Sequence, residues 1–257
     1  MSEYLLICLV ALLASGLTLF SGFGLGTLLM PAFALFFPVP AAIAMTALVH
    51  FANNLFKLGL LGRHARSDIV FRFGLTAIPA AYFGAMFLRH LENLEPLFRY
   101  HLGSTEYAVM PVKLCVALLM AFFAVLELLP GSAELSFPPS YLPLGGVLSG
   151  FFGGLSGNQG ALRSAFLLRA GLSKEGYIGT GVVLACLVDL TRIPLYLNHL
   201  SRSNPGQAGL LLAAVFSAWV GAFFGARLFH KVTLRSVQLI VAVLLLFLAA
   251  LIGSGIL

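Results

Sequence analysis

The chain has 257 residues, of which 60% are hydrophobic and 9% charged, with a mean hydropathy of +1.01. A water-facing globular surface needs nearer a quarter charged residues, disorder needs low hydrophobicity, and three cysteines cannot build a disulfide framework. What remains is a polytopic membrane protein whose net charge of +6 is scattered as flanking charge, so no nucleic-acid partner is expected and the lipid bilayer is the first partner.

Uncharged runs bounded by Pro, Gly or Lys/Arg predict elements, in chain order, at 4–21, 24–37, 41–61, 69–88, 108–129, 142–155, 160–170, 176–197, 207–229 and 235–255. The first is not read as a secretion signal, because its only early charge is Glu3 and a signal needs a basic start. Three elements, 24–37, 142–155 and 160–170, reach only roughly 15–21 Å against a hydrocarbon core of about 30 Å. Each lies beside a Gly-rich break, Ser21-Gly22-Phe23-Gly24-Leu25-Gly26 or Gly153-Gly154-Leu155-Ser156-Gly157-Asn158-Gln159-Gly160. Short apolar pieces broken by Gly at corresponding places in two halves point to re-entrant or discontinuous helices.

The halves correspond in order. Ser21-Gly22 aligns with Ser156-Gly157 and Lys57 with Arg192, both 135 positions apart. Thr46 sits near the counterpart Thr180, and Gly84-Ala85 matches Gly225-Ala226. The expected fold is therefore an all-α, multi-spanning single membrane domain of two repeats, 1–107 and 142–257, joined by a linker helix and loop over 108–141. If each Gly-broken pair is a hairpin, nine Lys/Arg flank one face and five the other. The richer face is then cytoplasmic and the repeats are inverted.

No zinc-binding His-Glu-x-x-His, nucleophile turn or Walker lysine is present. Neither an enzyme, a metal nor a cofactor is expected. The polar residues inside spans carry the information, since placing them in hydrocarbon costs at least a few kcal/mol. On 41–61, Thr46, His50, Asn53/Asn54 and Lys57 fall on one helical stripe. One reading has Asn and His bridging neighbouring helices while Lys57 snorkels; the other has the stripe facing an aqueous path. Across the second break, Ser156, Gln159 and Arg163 stand at i, i+3 and i+7. Arg163 has no acidic neighbour in sequence. It either pairs with a buried carboxylate such as Asp189 or supplies a fork of donors to an oxyanion at a helix N-terminus. Asp189 and Arg192, at i and i+3, read as a local ion pair, or Asp189 carries a proton as coupling ion.

These motifs together resemble the TauE/SafE family of membrane permeases. The resemblance rests on Ser21 through Pro31, the segment around Thr46, the Gly84-Ala85 and Gly225-Ala226 ends, and Gly157-Asn158-Gln159-Gly160-Ala161-Leu162-Arg163-Ser164 followed by Thr180-Gly181-Val182-Val183. It covers essentially the whole chain. It implies a duplicated helical fold and a small sulfur-containing anion, sulfite or a short organosulfonate, as substrate. The chain departs from the family where Asn158-Gln159 replaces further Gly and Ala165-Phe166 stands near an expected Pro. The expectation is a secondary transporter in a bacterial cytoplasmic membrane, exporting its anion by alternating access. Ser21, Gly24, Gly26, Thr46, His50, Asn54, Lys57, Ser156, Gly157, Asn158, Gln159, Arg163 and Thr180 would line the site or path, with Asp189 and Arg192 as coupling group or ion pair. An anion channel and a non-transporting scaffold subunit are the competing readings, and the oligomeric state is open.

Overall fold

Pro and Gly set the helix boundaries. Pro40, Pro111 and Pro143 stand in the first turns of helices, where a missing N–H costs nothing, and Gly157, at φ +85°, ends a helix in the left-handed conformation. A computed structural model describes residues 2–17, 24–129, 136–201, 205–228 and 234–257. Its helices are α1 (Ser2–Leu17), α2 (Leu25–Ala34), α3 (Val39–Leu61), α4 (Ser67–Glu92), α5 (Pro111–Leu128), α6 (Leu142–Ser156), α7 (Gly160–Leu167), α8 (Lys174–Ser201), α9 (Pro205–Leu228) and α10 (Leu234–Gly253). Every predicted element corresponds to one of them.

Among the described residues, four stretches are long and apolar enough to cross a bilayer: Val39–His64, Ser67–Glu92, Lys174–Asn198 and Gln207–Phe224. Many large apolar side chains point outward. On α4 the exposed residues include Phe71, Leu75, Ile78 and Tyr82, a single helical stripe, and on α10 Ile240, Val243, Leu244 and Phe247. The interior is instead rich in Ala, Gly and polar residues. That inverted distribution is the one an all-α membrane protein requires, because lipid rather than water faces the outside.

One element was not anticipated. Phe98–Leu102 (β1) and Thr105–Val109 (β2) form an antiparallel hairpin, with Phe98 opposite Val109 and Gly103 turning at φ +64°. Ala108 and Val109, placed by sequence in the linker helix 108–129, belong to β2. Two five-residue strands alternate too briefly to stand out from a loop. The Tyr100 hydroxyl donates to the Ser254 carbonyl (2.8 Å), tying the hairpin to the chain end after α10.

Helix directions follow from close approaches at glycine. A Cβ on Gly146, Gly150 or Gly154 of α6 would stand 2.2, 2.3 and 2.1 Å from the carbonyl oxygens of Phe73, Ala77 and Ala81, so α4 and α6 run parallel and nearly touch. On the other side Gly209 and Gly221 of α9 meet Tyr4 and Leu12 of α1, again parallel. By contrast α3 and α8 are antiparallel, with Gly179 against Leu61 and His50 against Asp189. So are α5 and α10, where Gly253 meets Ala117. Thus α1 packs on α9 and α4 on α6, interlacing the two halves. Gly179 touches the 61–65 turn, the Arg72 guanidinium donates to Pro139 O, and Phe137 stacks on Phe166 at 4.5 Å. Residues 229–233 lie outside the described residues.

Candidate functional site

Two Gly breaks more than a hundred residues apart come together. A Cβ on Gly24 would lie 4.0 Å from Gly160 Cα, and one on Gly26 3.1 Å from Gly157 O. No larger residue at Gly26 would allow that approach without displacing the facing carbonyl. Ser21, at the start of the first break, is outside the described residues. Gly24 precedes α2 and Gln159 precedes α7, and neither end is capped by a side chain. Each helix therefore presents first-turn N–H groups without intrahelical partners, and the positive end of its dipole, toward the junction.

Two buried polar atoms beside this junction have no hydrogen-bond partner among the described residues: Thr46 Oγ1 and Asn158 Nδ2. Thr46 is 1% exposed and Asn158 4%. The Thr46 methyl would be 3.8 Å from a Cβ on Gly26, which places it at the same elbow. A buried polar atom without a partner is costly, and a hydrogen-bonding group placed here would offset that cost. Arg163 sits in the first turns of α7, partly buried. Its Nη1 donates to Gln159 Oε1 at 3.0 Å, and its Nε lies 3.6 Å from where a Cβ on Gly181 would be. One of five guanidinium donors is thereby used; the others have no protein partner among the described residues.

Behind the junction, α3 and α8 cross through a buried network. Asp189, fully buried, accepts at Oδ1 from Arg192 Nε (3.0 Å) and Gln159 Nε2 (3.2 Å), with Arg192 Nη2 2.8 Å away, and at Oδ2 faces His50 Nδ1 at 2.5 Å. Arg192 Nη1 also donates to Gly153 O at 3.0 Å, and the Tyr196 hydroxyl donates to Gly154 O. These two bonds clamp the last turn of α6 from α8. Asn54 Nδ2 donates to His50 O at 2.9 Å and stands beside the imidazole. Asp189 thus pairs with Arg192, as one sequence reading had it, and also with His50, 139 positions away. It meets Arg163 only through Gln159.

The predicted stripe on α3 divides. His50 and Asn54 face α8. Asn53 and Lys57 face α1 and α9: with the Asn53 amide oriented to satisfy both its ends, Nδ2 donates to Ala218 O (3.3 Å) and Oδ1 accepts from Lys57 Nζ (3.2 Å) and Ser15 Oγ (3.1 Å). Lys57 is 7% exposed, so it is packed between helices and does not snorkel. Two predicted residues are engaged elsewhere. Ser156 Oγ donates to Phe152 O within its own helix (3.1 Å), and Thr180 Oγ1 accepts the Arg66 N–H at the loop end of α8 (3.0 Å). Sequence reasoning missed Ser15 and Ser149. The latter donates to Gln159 O at 3.0 Å and fixes the elbow from α6. A serine among glycines on a packed helix carries no signal that would have singled it out.

Among the described residues no group of His, Cys, Asp or Glu is placed to hold a metal ion. No curated protein and no solved structure matches the chain. A family model described as the sulfite exporter TauE/SafE matches residues 7–252, nearly its full length. That span takes in both glycine elbows, the α3–α8 crossing and Arg163, and the chain belongs to the TauE/SafE sulfite exporter family.

Proposed function

We propose that the protein is a secondary transporter that carries a small sulfur-containing oxyanion, sulfite or a short organosulfonate, out of the cell across a bacterial cytoplasmic membrane. Family membership makes it a membrane transporter of sulfur anions; the cargo, direction and mechanism are our reading. The observation that carries it is the free donor set at the elbow. Among the described residues Arg163, in the first turns of α7, keeps four N–H groups without a protein partner, and where the uncapped N-termini of α2 and α7 meet, Asn158 Nδ2 and Thr46 Oγ1 have none either. Helix N-termini and a guanidinium fork favour an oxyanion over any neutral or cationic solute.

Alternating access is supported by the helix directions. Exchanging the first five helices for the last five, which counts α5 in the first repeat where the sequence reading made it a linker helix, turns α1 on α9 into α6 on α4, both parallel, and maps the antiparallel pairs α3/α8 and α5/α10 onto themselves. Equivalent helices that lie side by side and run oppositely are what a two-fold axis in the membrane plane produces. We read the halves as inverted repeats that rock about the α3–α8 crossing, with the anion between the elbows. The buried His50, Asn54, Asp189 and Arg192 form the crossing, and Asn53, which accepts from Lys57, ties it to α1 and α9. Proteoliposomes loaded with radiolabelled sulfite test the proposal: the wild type gives saturable efflux and Arg163→Ala loses it. Unchanged efflux in Arg163→Ala, with the protein monodisperse, overturns the site.

A further inference from the structure

Gln159 stands between two charges that do not touch. Its Nε2 donates to Asp189 Oδ1 at 3.2 Å, and its Oε1 accepts from Arg163 Nη1 at 3.0 Å. An amide has one donor end and one acceptor end, and which way it faces is set by its partners. Asp189 is acceptor-only when ionised, and the paired Arg192 and His50 hold it at the α3–α8 crossing. It can receive only the NH2 end of Gln159, so the carbonyl end must face Arg163. The rest of Gln159 is fixed too: it is 1% exposed, its carbonyl accepts from Ser149 Oγ, and a Cβ on Gly153 would press on its side chain at 2.9 Å.

From this chain of contacts we infer that Asp189 and Gln159 are positioning residues for the anion site: the carboxylate orients the amide, and the amide aims the guanidinium without neutralising it. A carboxylate directly on Arg163 would occupy two of its donors and compete with an anion. A neutral spacer occupies one and leaves the charge available. This assigns the second half of the chain the task of holding the anion-binding group. It rests on the functional reading above only for the identity of the ligand.

The experiment uses the full-length protein and two variants. Asp189→Asn keeps the size but puts an NH2 where one carboxylate oxygen stood, so the Gln159 amide can face either way; Gln159→Leu removes the spacer while leaving the Asp189–Arg192–His50 cluster whole. Sulfite efflux from proteoliposomes gives KM and maximal rate, and modification by phenylglyoxal, followed at the Arg163 peptide by mass spectrometry, reports how firmly the guanidinium is held. Gln159→Leu should raise KM about tenfold, the scale of one hydrogen bond to a charged group, with the maximal rate within about twofold and Arg163 modified faster; Asp189→Asn, which also takes the counter-charge from Arg192 at the crossing, should modify Arg163 faster and lower the maximal rate as well. A wild-type KM and wild-type Arg163 reactivity in Gln159→Leu overturn the inference, as does a fall in maximal rate with KM unchanged in that variant. If Asp189→Asn does not fold, Gln159→Leu decides alone. If the wild type shows no saturable sulfite efflux, the transport reading fails, and the phenylglyoxal rates still decide whether Asp189 and Gln159 hold Arg163.

Discussion

Gly157→Ala separates the two things a glycine can do at the second elbow. Gly157 has φ +85°, a conformation that costs an L-residue roughly 1–2 kcal/mol. Gly171 has φ +67°, is exposed, and a Cβ there would meet no atom within 4 Å. Gly171→Ala therefore measures the conformational cost by itself. At Gly157 the new methyl would in addition stand 3.1 Å from Arg192 Nη1, the atom that donates to Gly153 O at 3.0 Å. The guanidinium must yield by a few tenths of an ångström, weakening a charge-assisted bond whose whole worth is about 1.5–3 kcal/mol. Losing part of it adds about 1–2 kcal/mol, so Gly157→Ala should cost about 2–4 kcal/mol against about 1–2 for Gly171→Ala. Unfolding titrations of the two variants in mixed micelles, run beside the wild type, read the difference. A Gly157→Ala variant no less stable than Gly171→Ala would show that Arg192 does not brace the elbow and would refute the clamp.

Three further substitutions differ in the sign of their effect. Thr46→Val removes a buried hydroxyl that has no partner in the empty site, so it should hold or raise thermal stability while raising the sulfite KM about fivefold, the value of a neutral hydrogen bond near 1 kcal/mol; a destabilised variant with normal KM would place Thr46 in packing only. Gly154→Ala puts a Cβ 2.1 Å from Ala81 O and must push α4 from α6, costing about 1–3 kcal/mol or more, whereas Gly59→Ala meets nothing and should gain up to about 1 kcal/mol of helix propensity; equal melting temperatures for the two would refute the close packing.

Much of the helical layout was legible because bilayer chemistry is coarse. An uncharged run ended by Pro, Gly or Arg has few alternatives in lipid, and each of the ten predicted elements contains a helix. The short, Gly-broken elements were legible for the same reason, since 24–37 and 160–170 are too short to span. The hairpin at Phe98–Val109 was not, because outside the hydrocarbon that constraint lapses. At the site, the Asp189–Arg192 pair could be read from i, i+3 spacing, whereas the His50–Asp189 contact joins helices that sequence alone cannot bring together. The stripe from Thr46 to Lys57 was seen as one surface, yet α3 is wrapped by α8 on one side and α1 and α9 on the other, so its polar residues serve different partners. The spacer role of Gln159 was invisible for a further reason: an amide's orientation depends on what stands at both its ends.

The burial of these charges bears on how an anion would bind. In lipid an isolated cation costs at least about 2.5–3.5 kcal/mol on insertion scales, and Arg192 avoids that cost through Asp189. Among the described residues Arg163 has no carboxylate of its own, only the Gln159 carbonyl, so its charge is offset less than that of Arg192. On the proposed reading, an oxyanion between the elbows would offset it and would also satisfy Asn158 Nδ2 and Thr46 Oγ1. Binding would then be driven as much by compensating these groups as by contacts to the ligand. A neutral analogue of the same shape gains the hydrogen bonds but leaves the guanidinium uncompensated, which is the physical ground for selecting charge before shape.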